Sequence, residues 1–149
     1  MPAGAITLSD ITSADWSLAL DKPGQPGSGI GNIVQGLADV DQCVGIILTT
    51  PKGTDPLRPT FATDLWQFID YPMNSVLSAV VREVTQALTL WEPRITIVSI
   101  TAQPVTDDST QSGAHLNVAV AWKLKLALTG GGTAPAGTVQ TTSAAIFIP

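Results

Sequence analysis

The sequence predicts an α+β fold, with two main helices packed on a small, mostly antiparallel sheet that includes a long C-terminal hairpin. Apolar residues recur with helical spacing in two segments, which begin near residues 39 and 75. Residues 115–128 instead alternate strictly between apolar and small or polar side chains. That alternation predicts a strand with one apolar face, and the two patterns together give the fold class.

The N-terminal part predicts a loose hairpin followed by the first helix. Residues 16–20 and 30–35 have strand character, and a loop rich in Pro and Gly separates them. Apolar positions then follow helical spacing at Val40, Cys43, Val44, Ile47 and Leu48. Asp39 or Asp41 stands where a capping or first-turn acid belongs. Cys43 is expected to be a buried, unreactive thiol on this stripe.

A long connection precedes the clearest helix. Residues 51–73 contain repeated Pro and Gly, and loops of this length inside compact domains are usually functional or fixed by a partner. Within them, residues 64–70 predict one or two helical turns. Asn74 is expected to cap a helix over residues 75–91, whose apolar row ends at Trp91. The outer face of this helix carries few charges, which favours cover by partner proteins.

The C-terminal half predicts the sheet. β-branched residues over 94–103 predict a strand, and a polar turn joins it to the alternating strand over 115–128. The second strand is predicted to outlast the first, so that its excess pairs elsewhere or stays as an open edge. After a linker rich in Gly and Ala, residues 139–148 predict a last strand.

These elements make one domain, which suits a chain of 149 residues. N-terminal strands and a loop occupy residues 1–36, and the core occupies residues 37–128. A linker and the final strand occupy residues 129–149.

Composition excludes several classes of function. Charged residues make up 13% of the chain and the formal net charge is −5, so the basic surface of a nucleic-acid-binding protein is absent. One cysteine and one histidine cannot build a structural zinc site or an intramolecular disulfide. No segment has the pattern of a signal peptide or a membrane helix. We expect a soluble protein whose poorly charged surface fits either burial in an assembly or a monomer coated with Thr and Ser.

No catalytic or cofactor-binding pattern emerges. The glycines at 130–132 lack the spacing and the lysine of a phosphate-binding loop. Glu83 and Glu92 are separated by about 13 Å along a helix axis at 1.5 Å per residue. That separation is too large for the carboxylate pair of a glycosidase. We therefore expect no enzymatic activity, no cofactor and no metal ion.

The segment Trp91-Glu92-Pro93-Arg94 is the constellation that indicates a binding role. Pro93 disfavours helical backbone at Glu92 and so fixes the exit from the helix. Glu92 and Arg94 flank this rigid proline, and an arginine fork pairs well with carboxylates at interfaces. The alternative is a local turn that an ion pair within the chain closes.

These residues, taken in order, resemble a known family. The pattern is Gln42, Ile47-Leu48-Thr49-Thr50-x-x-Gly53, Pro59-x-Phe61, Asp70-x-Pro72 and Ala87-Leu88-x-x-Trp91-Glu92-Pro93-Arg94-Ile95. Over roughly residues 35–125 the chain is similar to the baseplate wedge and sheath-initiator family of contractile-tailed bacteriophages, the baseplate assembly protein W-like proteins. The family commonly has Gly after the Phe of Pro-x-Phe, where this chain has Ala62. If that position needs a positive φ, the alanine is strained.

The resemblance implies a non-enzymatic protein of the virion tail baseplate, made in the host cytoplasm. In this family six copies surround the end of the tail tube. The Glu-Pro-Arg segment docks on the core bundle of the wedge, and the sheet is the template on which sheath subunits add strands. The implied partners are other wedge subunits, the sheath protein and the tail tube, without nucleic acid or membrane. The implied partner-binding residues are Trp91, Glu92, Pro93, Arg94, Val118, Val120, Trp122 and Leu124.

Three alternatives stay open. The first is a peptidoglycan-cleaving, lysozyme-like hydrolase of the tail, with Glu92 as the general acid. The second is the equivalent baseplate protein of a type VI secretion system or another contractile injection machine, where relatives of the family occur. The third is a free-standing adaptor that shares only the fold.

Overall fold

The described residues of the structure, a computed structural model, form two helices and two antiparallel sheets, so the predicted α+β class is confirmed. The residues that it describes are 14–20, 33–68, 71–105, 115–125 and 137–147. The elements are β1 (Trp16–Leu18), β2 (Ile33–Gln35), α1 (Leu37–Thr49), a 3-10 helix (Leu65–Phe68), α2 (Met73–Trp91), β3 (Ile95–Val105), β4 (His115–Leu124) and β5 (Gln140–Phe147). The predicted short helical turn after residue 64 is therefore the 3-10 helix.

The strands pair antiparallel in both sheets. β1 and β2 form the predicted N-terminal hairpin, and β3, β4 and β5 form a three-stranded sheet in that order. Gln42 of α1 fastens the hairpin to the helix, because its amide accepts a hydrogen bond from Leu20 N and donates to Leu18 O at 2.9 and 2.8 Å. The hairpin is therefore held beside the end of α1 that carries Asp39.

Both helices cover one face of the three-stranded sheet, with α2 against β3 and α1 against β5. The alternating side chains of β4 fill the space between sheet and helices, because successive residues of a strand point to opposite faces. The buried row of α2 has the predicted helical spacing, at Val76, Val80, Val84 and Leu88. The core thus lies between the sheet and the two helices.

Both helices begin earlier than the sequence predicts. α1 begins at Leu37 after Gly36, whose φ of 60° is readily adopted only by glycine, so Asp39 is a first-turn acid and not the cap. α2 begins at Met73 after Pro72, so Asn74 lies inside the helix and the predicted asparagine cap is wrong. A backbone conformation, not a capping side chain, sets each start: neither cap residue makes a side-chain capping bond.

The predicted excess length of the second long strand is wrong within the described residues. β3 has 11 residues and β4 has 10. β3 continues through Pro104, which an edge strand tolerates because the missing N–H can face away from the sheet. The polar turn after β3, the predicted strand residues 126–128 and the linker that follows lie outside the described residues, apart from its last positions at 137–138.

Candidate functional site

The site forms where α2 ends and β3 begins. α2 stops after Trp91, and Glu92 leaves the helix with φ −126° and ψ 72° while its N–H still bonds Leu88 O at 2.9 Å. Pro93 follows and excludes helical backbone at Glu92, as the sequence predicts. Residues 91–94 form a corner between the helix and the strand. Lys125 N donates a hydrogen bond to Arg94 O at 2.9 Å, which attaches this corner to the residue that follows β4.

The guanidinium of Arg94 is fully engaged within the chain. Its Nε and Nη2 donate to the two carboxylate oxygens of Glu92, at 2.7 and 2.8 Å. Its Nη1 donates to Asp39 Oδ2 at 3.0 Å and to Asp15 Oδ1 at 3.1 Å. The remaining contact runs from Nη2 to Cys43 Sγ at 3.5 Å. Because an arginine has five N–H donors, these five contacts use all of them.

Burial makes this arrangement rigid. Glu92 is 2% exposed and Asp39 is 4% exposed, while the Arg94 side chain is 31% exposed. The pKa of Arg94 is raised, first by its hydrogen bonds to Glu92. Glu92 and Arg94 therefore form the ion pair within the chain that was the alternative to a docking role, and neither polar group faces outward with unused bonding capacity.

Cys43 lies at the edge of this cluster and not in the core. It is half-buried and lines a groove beside the corner, so the expectation of a buried thiol is wrong. Burial and the neighbouring Asp39 carboxylate raise the pKa of the Cys43 thiol, in that order, and Arg94 opposes them. A raised pKa fits the predicted unreactive thiol.

A closed loop packs against the corner. Its neck is the backbone hydrogen bond from Lys52 N to Thr63 O at 2.9 Å. Phe61 meets the Trp91 ring edge to face at 5.2 Å, and Trp91 Nε1 donates to Thr60 O at 3.2 Å. A compact loop with adjacent ends is an Ω-loop, a type that is frequently functional. The loop thus fixes the ring of Trp91.

Ala62 in this loop has the strained backbone that the family pattern predicts. Its φ is 70°, in the region that glycine adopts without cost. The side chain is also buried. The structure therefore confirms that this position needs a positive φ.

A groove of about 420 Å³ lies between the loop and the corner. Its apolar walls come from Ile46, Ile47, Phe61, Trp91 and Pro93, and its polar lining includes Arg58, Glu92 and Arg94. Trp91 and Pro93 are thus partner-binding candidates that border an open surface. Arg58, Phe61 and Ile46 were not predicted as site residues; the turn-rich connection of residues 51–73 was the signal that could have found them.

The predicted binding residues of the long strand lie in the core. Val118, Val120, Trp122 and Leu124 are buried on β4, which is paired on both sides. The Trp122 N–H donates to Thr142 Oγ1 at 2.8 Å, and that hydroxyl donates to Asp41. As side chains they cannot meet a partner without unfolding, so a role for the sheet in binding falls to its edges.

The two edges of the sheet differ. β3 has a register shift between Ile97 and Ser99 and contains Pro104. β5 pairs with β4 in unbroken register from Gln140 to Phe147. Within the described part of the chain no further strand pairs with either edge. A bulge and a proline are features that discourage strand addition, so β5 is the more receptive edge.

No helix in the described ranges is long and apolar enough to cross a membrane. The same ranges hold no cluster of three or more His, Cys, Asp or Glu side chains that could bind a metal ion.

The fold and the sequence define a protein of the baseplate class of contractile tails. A model of the family described as baseplate wedge protein gp25 matches residues 34–127, which is more than half of the chain. The chain therefore belongs to the baseplate wedge protein gp25 family, and its location is the tail baseplate.

Proteins with similar sequences or structures include the following three. Baseplate protein W of Escherichia phage P2 is 33% identical over 89 residues, which cover 57% of this chain and 77% of that protein. A Geobacter sulfurreducens protein described as a tail lysozyme has a similar structure, with a TM-score of 0.59, 26% identity and coverage of 76% of this chain and 94% of that chain. A chain of the postcontracted pyocin R2 baseplate matches with a TM-score of 0.48 and 26% identity, over 88% of this chain and 98% of that one.

Proposed function

We propose that this wedge protein starts the contractile sheath by adding a strand of a sheath subunit to its own three-stranded sheet. The observation that carries the proposal is the outer side of β5, where no strand of the described residues is paired. Unpaired backbone N–H and C=O groups along an edge accept a foreign strand, a mode called β-augmentation. Backbone bonds then supply affinity, and alternate side chains supply specificity.

The side chains of β5 fit such an edge. Thr141 and Ser143 are exposed, small and uncharged, while Thr142 and Ala144 alternate with them into the core. Because inward-facing Thr142 bonds Trp122 and Asp41, the strand is held in one register before any partner binds. A preordered edge loses less entropy on binding than a mobile segment.

The corner attaches the protein to the wedge in this proposal. The family resemblance implies docking by Trp91, Glu92, Pro93 and Arg94 together. We assign Glu92 and Arg94 to holding the corner, since their polar groups are occupied within the chain. Exposed Pro93 and partly buried Trp91 then form the contact surface with the neighbouring wedge subunit. Six copies around the tail tube, sheath protein as the strand donor and the lack of catalysis belong to the same proposal.

The test introduces proline at two adjacent positions of β5 in the gene that encodes the chain, and the tails that assemble are then examined. Of two adjacent edge-strand residues, one directs its N–H toward the sheet and the other directs it outward. Ser143→Pro and Ala144→Pro therefore separate the two roles. We expect the proline at the inward position to lower stability and the proline at the outward position to leave the fold intact. The outward variant should join the baseplate but give tails without sheath in electron micrographs.

The matched control is Ser143→Ala, which keeps every backbone group of the edge. It should yield sheathed tails at the parent level. Normal sheath on the folded outward proline variant would contradict strand addition at β5, and sheath defects in the alanine control would contradict the backbone mechanism.

A peptidoglycan hydrolase is the second candidate, favoured by the likeness to the Geobacter sulfurreducens protein described as a tail lysozyme. Glu92 would be its acid, yet both oxygens of this buried carboxylate accept hydrogen bonds from Arg94. A general acid must instead reach the bond that it protonates. Incubation of the purified chain with peptidoglycan decides: cleavage that Glu92→Gln abolishes would favour the enzyme, and we expect no cleavage by either protein.

A further inference from the structure

A second arginine, Arg58, borders the same groove and differs from Arg94 in what its nitrogens contact. Its Nε donates to Asp55 Oδ2 at 3.2 Å, and the side chain is 58% exposed. Within the described part of the chain, neither terminal nitrogen has a hydrogen-bond partner. Arg58 therefore brings a positive charge with four unused N–H donors to the rim of an apolar groove.

The Phe61 ring and the Asp55 carboxylate fix the orientation of this guanidinium. Its central carbon lies 4.7 Å from the centre of the Phe61 ring, a cation–π geometry, and Phe61 in turn packs on Trp91. The Asp55 carboxylate that holds Nε also accepts a hydrogen bond from Leu57 N at 2.9 Å. The pKa of Asp55 is lowered, first by that Leu57 N–H and then by Arg58. The loop thus holds Arg58 in place before a partner arrives, which reduces the entropy lost on binding.

The free edge of Arg58 matches one chemical group. With Nε occupied, the two terminal nitrogens form a parallel pair of donors, and a carboxylate accepts such a pair in bidentate geometry. The neighbouring walls, which include Phe61 and Pro93, are apolar. A ligand that satisfies both features has an acidic group beside an apolar group.

A protein segment suits this surface better than a small molecule does, because a second exposed apolar group lies beside Arg58 in the chain. Leu57 is adjacent to Arg58 in sequence, at the tip of the same loop, and is 92% exposed. Its backbone N–H is fixed by Asp55, so the tip is a preordered apolar projection. A small carboxylate could fill the groove but could not cover this side chain.

We propose that Arg58 binds an Asp or Glu of a neighbouring wedge subunit, on a segment that also places an apolar side chain in the groove. The inference rests on the proposed attachment of the corner to the wedge and names the chemistry of that contact. Arg94 is a positioning residue in this account, since all five of its donors are used within the chain.

The experiment replaces the gene of this chain with variants and counts the copies of the protein in each assembled tail by quantitative mass spectrometry. A charge-assisted bidentate pair contributes roughly a 10- to 100-fold change in affinity. At limiting expression we therefore expect Arg58→Ala to lower incorporation by about that factor. Arg58→Lys should give an intermediate loss, because lysine keeps the charge without the fork. The matched control is Lys123→Ala, which removes an exposed cation from β4, away from the groove, and should incorporate normally.

Two further readouts keep the result specific. Thermal unfolding of purified Arg58→Ala should match that of the parent chain, which separates binding from folding. Arg58→Glu should block incorporation, and selected revertants should carry Lys or Arg in place of an acidic residue of one wedge subunit. Such revertants identify the partner.

Failure of the inference and failure of the proposed function look different. Parent-level incorporation of Arg58→Ala and Arg58→Glu, in tails where the outward β5 proline still blocks the sheath, would overturn the role of Arg58 alone. Sheathed tails from every folded β5 variant would instead overturn the proposed function.

Discussion

The Glu-Pro-Arg corner and the outer edge of β5 differ in where their polar groups find partners. At the corner, every N–H of the Arg94 guanidinium contacts an atom of the same chain, and the carboxylate of buried Glu92 accepts two of these hydrogen bonds. Along β5, the outer backbone groups face no strand of the described residues. The side chains that stand out most in the sequence are thus satisfied internally, while an unremarkable run of Thr, Ser and Ala carries the open bonding capacity.

The difference separates two ways in which a residue can matter to an assembly. A saturated ion-pair cluster holds a shape and has little to offer a partner until it breaks. An open strand edge offers bonds without any rearrangement. Loss of assembly after a mutation at the corner would therefore not by itself place the corner in an interface, and stability must be measured alongside.

Arg94→Ala should have the largest effect on stability. It leaves the buried carboxylates of Glu92 and Asp39 without their shared cation, and breaking a buried pair from one side typically costs 3–5 kcal/mol. Since Arg94 is 31% exposed, we expect a loss of about 2–4 kcal/mol in the free energy of unfolding, measured by urea denaturation. Arg82→Ala should change it by less than about 0.5 kcal/mol. Equal, small effects of both would remove the distinction between corner and edge.

The pKa of the Cys43 thiol is a second measure of the corner, and we expect a smaller effect there than that of Arg94→Ala on stability. Because burial and Asp39 raise its pKa, less thiolate is present at a given pH, and alkylation should be slower than for a free cysteine. The pH profile of the iodoacetamide reaction in the folded protein should have its midpoint above the ordinary value of about 8.5, and urea should restore that value. A midpoint at or below the ordinary value would mean that Arg94 outweighs the burial and the carboxylate.

Ala62→Gly should have the smallest effect, and that is informative. At a buried site with ordinary φ, the change costs roughly 1.5 kcal/mol, from greater chain entropy and the lost methyl group. At the φ of 70° found here, relief of strain offsets that cost, so we expect a change within about 0.5 kcal/mol. A loss near the full cost would argue against the positive φ.

Periodicity made the framework predictable. The alternation of β4 and the helical row of α2 each describe a face that must be buried, and both are found in the core. The strained Ala62 was predictable from the family pattern, because one missing glycine marks a backbone requirement. These signals are local in sequence. One face of one element decides each of the first two, and one backbone position decides the third.

The partners of the corner were not predictable, because they are distant in the chain. Asp39 and Asp15 lie 55 and 79 residues before the arginine that they bind. The sequence around each aspartate, one before β1 and one in the first turn of α1, gives no sign that it binds Arg94. The sequence therefore left an ion pair within the chain and a docking role both open, and the packing of the hairpin and α1 against the corner shows the ion pair.

The most direct measurement is a cryo-EM reconstruction of the assembled tail at side-chain resolution around this protein. The account predicts a foreign strand hydrogen-bonded along β5, with the Glu92–Arg94 pair still closed. Glu92 or Arg94 turned outward to a neighbouring subunit, together with an unoccupied β5 edge, would contradict it.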